Sequence, residues 1–171
     1  EAFGRPPRAL KLDADGKLAL RPDAIVFDAT KIDEPSQLRA LYDFFHPIIG
    51  NLVRSGRVVV LGRPSDEQSP ARAAAQLALE GFVRSVAKEI GRAGSTAQLV
   101  VVEEGAEERL PSLLRFLLSP RSAFITAQPI RVSARVRMPL DIPLVRALEG
   151  KTALVTGAAR GIGAATAKLL A

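Results

Sequence analysis

The chain has 171 residues, 47% of them hydrophobic, and its 13 Gly and 12 Pro are scattered rather than repeated, which describes a globular protein and excludes collagen-like or low-complexity sequence. The absence of cysteine excludes disulfides, thiolate metal sites and cysteine nucleophiles, and with a single histidine neither a histidine-based metal centre nor a Ser-His-Asp triad is expected. The net charge of +6 comes from Lys and Arg dispersed among 18 acids, with no basic run and no aromatic residues interleaved among the basic ones, so it reads as an Arg-rich solvated surface and nucleic-acid binding is not expected.

Neither a membrane span nor a signal peptide is expected, because no apolar run approaches the roughly 20 residues a span needs and the N-terminus has no hydrophobic core. Cytoplasmic placement fits the lack of cysteine. The chain opens EAFGRPP without an initiator methionine, as a processed or excised piece does. Residues 10–20, LKLDADGKLAL, alternate around Asp15-Gly16 and predict a small hairpin or an irregular excursion. AIVFDA at 24–29 is a short apolar run suited to a buried parallel strand.

From Asp33 a helix is predicted, with Asp33 as N-cap candidate, Pro35 in the first turn, and Leu38, Leu41, Phe44, Phe45, Ile48, Ile49 and Leu52 at helical spacing. Pro47 should kink it without abolishing it. Tyr42 sits among these apolar positions and reads as a core or interface residue, and His46 has no partner that would make it a metal ligand. GRVVVLG at 56–62 predicts a second buried strand, followed by a loop with Pro64 and Pro70. Residues 71–92 carry the strongest helical pattern, with Leu79, Phe82, Val83, Val86 and Ile90 on one stripe and Gly91 as the stop. A third strand starts at Ala97, a helix with Pro111 early in it starts at Glu107, and a last strand starts at Gln128. Alternating strands and helices of these lengths predict an α/β fold with a doubly wound parallel sheet and helices on both faces.

Residues 134–149, with two prolines and scattered apolar positions, break the alternation and read as a linker between a domain at 1–133 and a new unit at 150–171. In that unit TALVTG predicts a buried strand ending at Thr156, and AARGIGAATAKLL a turn and helix. Glycines fall at 157, 161 and 163. A diphosphate must approach backbone N–H groups closely at a helix N-terminus, where a Cβ obstructs the turn or the contact. Gly157 then permits a tight exit from the strand, Gly161 the close approach, and Gly163 the packing of helix on sheet.

TGAARGIG, residues 156–163, resembles the cofactor motif of the short-chain dehydrogenases/reductases, especially their 3-oxoacyl-acyl-carrier-protein reductases. The resemblance implies that Gly157, Arg160, Gly161, Ile162 and Gly163 line a nicotinamide dinucleotide while Thr156 orders the loop. Arg160 would also meet the 2′-phosphate of NADPH. The residue that usually decides between NADH and NADPH closes the next strand, which lies after Ala171.

The upstream part resembles the later portion of the same family. LEGFVRSVAKEI (79–90) is similar to the back half of the family's Tyr-x-x-x-Lys helix, and SPRSAFITAQPIRV (119–132) to its closing segment, with Ala127 where the family has Gly. The catalytic positions differ: the family's tyrosine falls on Arg72 and its lysine on Gln76. Arg72 is a permanent cation and a poor acid, and Gln76 has no charge with which to lower a phenol's pKa. Both read as ordinary helix-surface residues. Gly62 and Arg63 stand where the family has its serine, with Ser65 nearby, and Glu103, Glu104 and Gly105 replace a Pro-Gly exit, so two carboxylates would repel a dinucleotide's phosphates.

A disarmed reductase-like domain ahead of an intact cofactor loop resembles the high-molecular-weight 3-oxoacyl-acyl-carrier-protein reductases. That implies a non-catalytic flavodoxin-like domain, a working ketoreductase domain beginning at 150 and continuing past Ala171, NADH or NADPH as cofactor with NADH somewhat favoured, and acyl-carrier-protein or coenzyme A thioesters of fatty acid metabolism as substrates. It also implies a homodimer or larger homo-oligomer formed through the helix at 71–92, whose Ala73, Ala74, Ala75, Ala78 and Gly81 permit close helix approach. The competing expectation is a non-enzymatic assembly or docking scaffold with a vestigial nucleotide fold.

Overall fold

β-Branched runs with no polar interruption form parallel strands only where both faces are covered, and here they do so side by side. In the computed structural model, which describes residues 21–65, 69–137 and 148–171, β1 (Ala24–Asp28), β2 (Arg57–Gly62), β3 (Thr96–Val102) and β4 (Pro129–Val132) make an all-parallel sheet in the order β1-β2-β3-β4. α1 (Arg39–Phe45) joins β1 to β2, α2 (Pro70–Ile90) joins β2 to β3, and α3 (Leu110–Leu117) joins β3 to β4. The chain divides into two compact units, Glu1–Val136 and Arg137–Ala171. The alternating stretch at 10–20 and most of the connector at 134–149 lie outside the described residues.

The two faces of the sheet carry separate cores. Ile25, Val58, Val60, Ala97 and Leu99 point to the side where α1 and α2 supply Leu41, Phe45, Leu79, Val83, Val86 and Ile90. Val59, Val100, Val102 and Val132 point to the other, where α3 supplies Leu110, Leu113, Leu114 and Leu117 at one-face helical spacing. Phe27, Phe44, Phe45 and Phe82 interlock on the first face, with ring centroids 4.9 to 5.7 Å apart. Because the strands advance in one direction while α3 lies on the face opposite α1 and α2, the β3–α3–β4 crossover has the opposite hand to the two before it. Parallel crossovers are right-handed almost without exception, so this reversal is a specific mark of the fold.

Several boundaries differ from the sequence expectation. The helix predicted from Asp33 through Leu52 is not continuous: a 3-10 turn at Pro35–Leu38 leads into α1, α1 ends at Phe45, and a second 3-10 turn covers Ile49–Asn51. Pro47 terminates the helix rather than kinking it, since it lacks an N–H and its ring crowds the preceding turn. At the entry the Gln37 side chain accepts from the Asp33 and Glu34 amides. At the end of α2 the stop is Gly94, at φ +73, after a 3-10 turn that begins at Gly91. Tyr42 is exposed, stacked on His46 with centroids 4.7 Å apart and with Arg39 over its ring, and is not a core residue.

Ala127 has φ +59, the left-handed region that favours glycine. The backbone takes this conformation although the residue carries a Cβ, at a cost of about 1 kcal/mol. Ala127→Gly is therefore expected to raise the unfolding free energy by roughly 0.5–1 kcal/mol, measured by urea denaturation; an unchanged or lower midpoint would show that the Ala127 methyl, which packs against the first core, outweighs the strain.

In the second unit α4 spans Gly161–Leu170. The buried strand expected at 152–156 does not form among the described residues. Leu154 is 92% exposed. A strand exists only through neighbouring strands, and this unit offers it none among the described residues.

Candidate functional site

Parallel α/β sheets bind ligands beyond the carboxyl ends of their strands. At that edge of the first unit, a cleft of about 550 Å³ is lined by Thr30, Lys31, Asp33, Arg63, Pro64, Ser65, Arg72, Glu103 and Glu104. The side chains around it are tied across the sheet. Gln76, predicted to lie on the helix surface, is only 4% exposed; its Nε2 donates to the Ala29 carbonyl at 3.0 Å and the Ile32 carbonyl at 2.7 Å, and its Oε1 accepts from the Arg63 amide at 2.7 Å. Gln76 thus forms a strut between the exits of β1 and β2. Gly62 makes room for it, since a Cβ there would lie 2.9 Å from both Gln76 Oε1 and Leu79 Cδ1.

Arg72 is partly exposed and ion-paired with Asp33 at 3.1 Å. Arg63 pairs with Glu107 at 2.8 Å and donates to the Val102 carbonyl, tying β2 to β3. The Glu107 carboxyl is held below its ordinary range by its own backbone N–H and by Arg63. Glu103 does not turn its charge into the cleft unopposed: it accepts from Ser133 Oγ at 2.7 Å and the Ala134 amide at 2.9 Å, while Arg109 donates to the Ser133 and Ala134 carbonyls. These two donors, the serine hydroxyl first, lower the Glu103 pKa. Sequence reading missed this clamp because its halves lie 30 residues apart.

A carboxylate whose folded pKa is depressed stabilises above its unfolded pKa and loses that contribution as pH falls through the folded value. The Ser133–Ala134 clamp should therefore hold near neutral pH and release below the carboxylate range. Hydrogen exchange is the check: the protection factor of the Ala134 amide falls between about pH 7 and about pH 3, and Glu103→Gln lowers it already at neutral pH and flattens the profile. Equal protection at both ends would remove the clamp from the account.

The second unit contains the glycine loop. Gly157 and Gly161 have φ +66 and +63, so both glycines are demanded by conformation and not only by access. Gly163 is demanded by contact: a Cβ there would lie 2.4 Å from the Gly157 carbonyl oxygen and 2.7 Å from its carbon. The first turn of α4 thus seats directly on the loop's own backbone, where the sequence expectation was packing of helix on sheet. Arg160 is the extended N-cap residue and gives no side-chain hydrogen bond to the turn, which leaves the first N–H groups of α4 available. Thr156 and Ile162 are exposed. A loop with two left-handed glycines and a third that has no room for a Cβ, at an uncapped helix N-terminus, suits a diphosphate group.

Among the described residues no group of His, Cys, Asp and Glu is placed to hold a metal ion, and no helix is long and apolar enough to cross a membrane. On α2, Ala75 faces the sheet, while Ala74, Leu77, Ala78 and Gly81 are exposed.

No family model matches the chain. It is similar to a short-chain dehydrogenase/reductase family member, NovK of Streptomyces niveus, at 31% identity over 121 residues, covering 57% of this chain and 48% of the relative. The chain spans about half the length of that curated relative. Among solved structures, a short-chain dehydrogenase family protein from Francisella tularensis matches with a TM-score of 0.56 at 16% identity, covering 67% of this chain and 70% of that one. A putative 3-oxoacyl-reductase from Bacillus thuringiensis matches with a TM-score of 0.51 at 22% identity, over 60% of this chain and 54% of that one. BdcA, solved in complex with NADPH, matches with a TM-score of 0.54 at 16% identity, over 64% of each. The structural matches carry the parallel sheet with its flanking helices, and the curated match carries a sequence likeness to a short-chain dehydrogenase/reductase over 121 residues.

Proposed function

We propose that this chain is the N-terminal part of a nicotinamide-dependent 3-oxoacyl thioester reductase, with a non-catalytic domain at 1–133, a linker at 134–149 and the start of the cofactor-binding domain at 150–171. The observation that carries the reading is the glycine loop: left-handed Gly157 and Gly161, Gly163 seated on the Gly157 carbonyl, and an uncapped α4 N-terminus. In this reading Gly157, Gly161 and Gly163 let the diphosphate of NADH or NADPH reach the backbone amides, Thr156 orders the loop, Ile162 lines the site, and Arg160 meets the dinucleotide or the 2′-phosphate of NADPH. The bound nicotinamide supplies the hydride that reduces a 3-oxoacyl group on acyl-carrier protein or coenzyme A to the 3-hydroxyacyl form. The first unit contributes no proton donor, because Arg72 and Gln76 occupy the family's Tyr and Lys positions and are committed to Asp33 and to the β1 and β2 exits.

A second reading, a docking or assembly scaffold, is favoured by those same cross-ties. In either case a homo-oligomer would form through the exposed Ala74, Leu77, Ala78 and Gly81 face of α2, and the protein would act in the cytoplasm. The test is NADH and NADPH oxidation with acetoacetyl-CoA by the protein extended past Ala171 through a complete cofactor domain, beside the 171-residue chain. The extended protein is expected to turn over and the chain alone to be inert; inertness of both would leave the scaffold. Sedimentation of the same samples checks the oligomer, and a monomer that is unaffected by Ala78→Arg would remove the α2 interface.

A further inference from the structure

The fold sorts the dispersed charges of the sequence by sheet edge. The carboxyl edge gathers Asp28, Asp33, Glu103, Glu104 and Glu107, and its arginines stand among these acids: Arg63 pairs with Glu107, Arg72 with Asp33, Arg109 donates to the Ser133 and Ala134 carbonyls, and Arg135 lies in the field of Glu103. The amino edge is different. Arg21 precedes β1, Arg54 precedes β2, Arg92 precedes β3 and Arg121 precedes β4. All four are exposed, and their side chains make no ion pair or hydrogen bond among the described residues.

Strand order makes these loops neighbours. The Val53 amide donates to the Pro22 carbonyl, the Ser55 amide to the Ala93 carbonyl, and the buried Arg57 reaches from the Ser55 carbonyl to the Ser119 carbonyl. With strands about 4.8 Å apart, the four arginines share an edge about 14 Å wide. Arg92 has a local reason to be cationic, since it follows the C-terminus of α2. Arg121 stands likewise in a 3-10 turn that follows α3, whereas Arg54 has no α-helix end beside it. Asp23 and Glu89 are the acids near this edge, and neither forms an ion pair among the described residues. Beside Arg121 stands Phe124, which is 100% exposed. A large aromatic side chain left entirely in water beside unpaired arginines has the composition of an interface hot spot.

We propose that the amino edge of the first unit is a docking surface for an acidic carrier protein, whose carboxylates meet Arg54, Arg92 and Arg121 while an apolar side chain covers Phe124. The proposal rests on the reading above that the substrate arrives as a thioester on such a carrier. It places the carrier's anchor at the edge opposite the strand exits, away from the tied cleft. Charge complementarity selects this occupant: guanidinium groups bind carboxylates in paired hydrogen bonds, and a lone aromatic residue suits a folded protein's apolar spot better than the extended backbone of a nucleic acid, which would need several stacking residues.

The experiment is a titration of the full chain with a purified bacterial acyl carrier protein, followed by fluorescence anisotropy of the labelled carrier. Binding is expected, weakened by added salt, reduced about tenfold by Arg54→Gln with Arg121→Gln and about tenfold by Phe124→Ser, and unchanged by Arg39→Ala, whose partner is Asp43 on α1. No binding, or binding indifferent to the Arg54, Arg121 and Phe124 changes in folded protein, overturns the proposal. So does tighter binding to a single-stranded oligonucleotide or to anionic phospholipid vesicles. The acetoacetyl-CoA assay separates the two readings: activity on that carrier-free substrate without carrier binding sinks the docking surface alone, whereas absent activity with mutation-sensitive carrier binding sinks the reductase and leaves the docking surface standing.

Discussion

Gln76→Leu is expected to lower the unfolding free energy by about 3–5 kcal/mol, enough to shift a urea midpoint by one molar or more. Leucine matches the volume and removes every polar partner at once. The Ile32 carbonyl and the Arg63 amide, which Gln76 now satisfies at 2.7 Å, would each be left near a buried side chain with no hydrogen bond, while the Ala29 carbonyl would lose one of its two donors and keep the Ile32 amide; an unsatisfied buried group costs about 1–3 kcal/mol. Gln76→Lys retains donors for the two carbonyls but leaves the Arg63 amide unpaired and buries a cation beside Leu79 and Gly62, so it should also destabilise. Gln76→Glu gives the signature of the strut. It keeps the acceptor for Arg63 and sets a carboxylate against two carbonyl oxygens, which raises its pKa, so stability should recover as pH falls through that raised value and the group protonates. A loss under about 1 kcal/mol for Gln76→Leu would mean that water replaces the strut.

The fate of Gln76 also marks where sequence reading stopped. The strands at Val58–Val60 and Leu99–Val102 were legible because a β-branched run with no charge can only be buried on both faces. The stripe of α2 was legible because Leu79, Val83, Val86 and Ile90 repeat at helical spacing. Gln76 lies on the same buried face, one turn before Leu79, yet a glutamine carries no apolar signal. Its burial depends on three backbone groups brought from loops 13 to 47 residues away. The clamp at Glu103 was hidden for the same reason, and so was the gathering of Arg54, Arg92 and Arg121, which are dispersed in sequence and collected only by strand order. The opposite error occurred at 152–156, where the strand pattern has no neighbouring strands among the described residues to pair with.

Gly163→Ala is expected to abolish dinucleotide binding by the protein carrying a complete cofactor domain, with an affinity loss on the order of 100-fold or more, equivalent to about 3 kcal/mol. Two of the loop's glycines act through φ, and their replacement costs about 1–2 kcal/mol of left-handed strain each. Gly163 differs, because the atoms its Cβ would strike, at 2.4 and 2.7 Å, are backbone atoms of Gly157 and cannot rotate away as a flexible side chain would. The loop must shift or the first turn of α4 must unwind, and either movement redirects the N–H groups that are meant to meet the diphosphate. Alanine is otherwise favourable at a helical position, so propensity predicts the opposite sign and the experiment decides between them. Calorimetric titration with NADH and NADPH of wild type, Gly163→Ala and Gly157→Ala would separate contact from conformation: undiminished binding by the Gly163 variant would show that the loop tolerates the methyl group, and with it the diphosphate reading would lose its geometric basis.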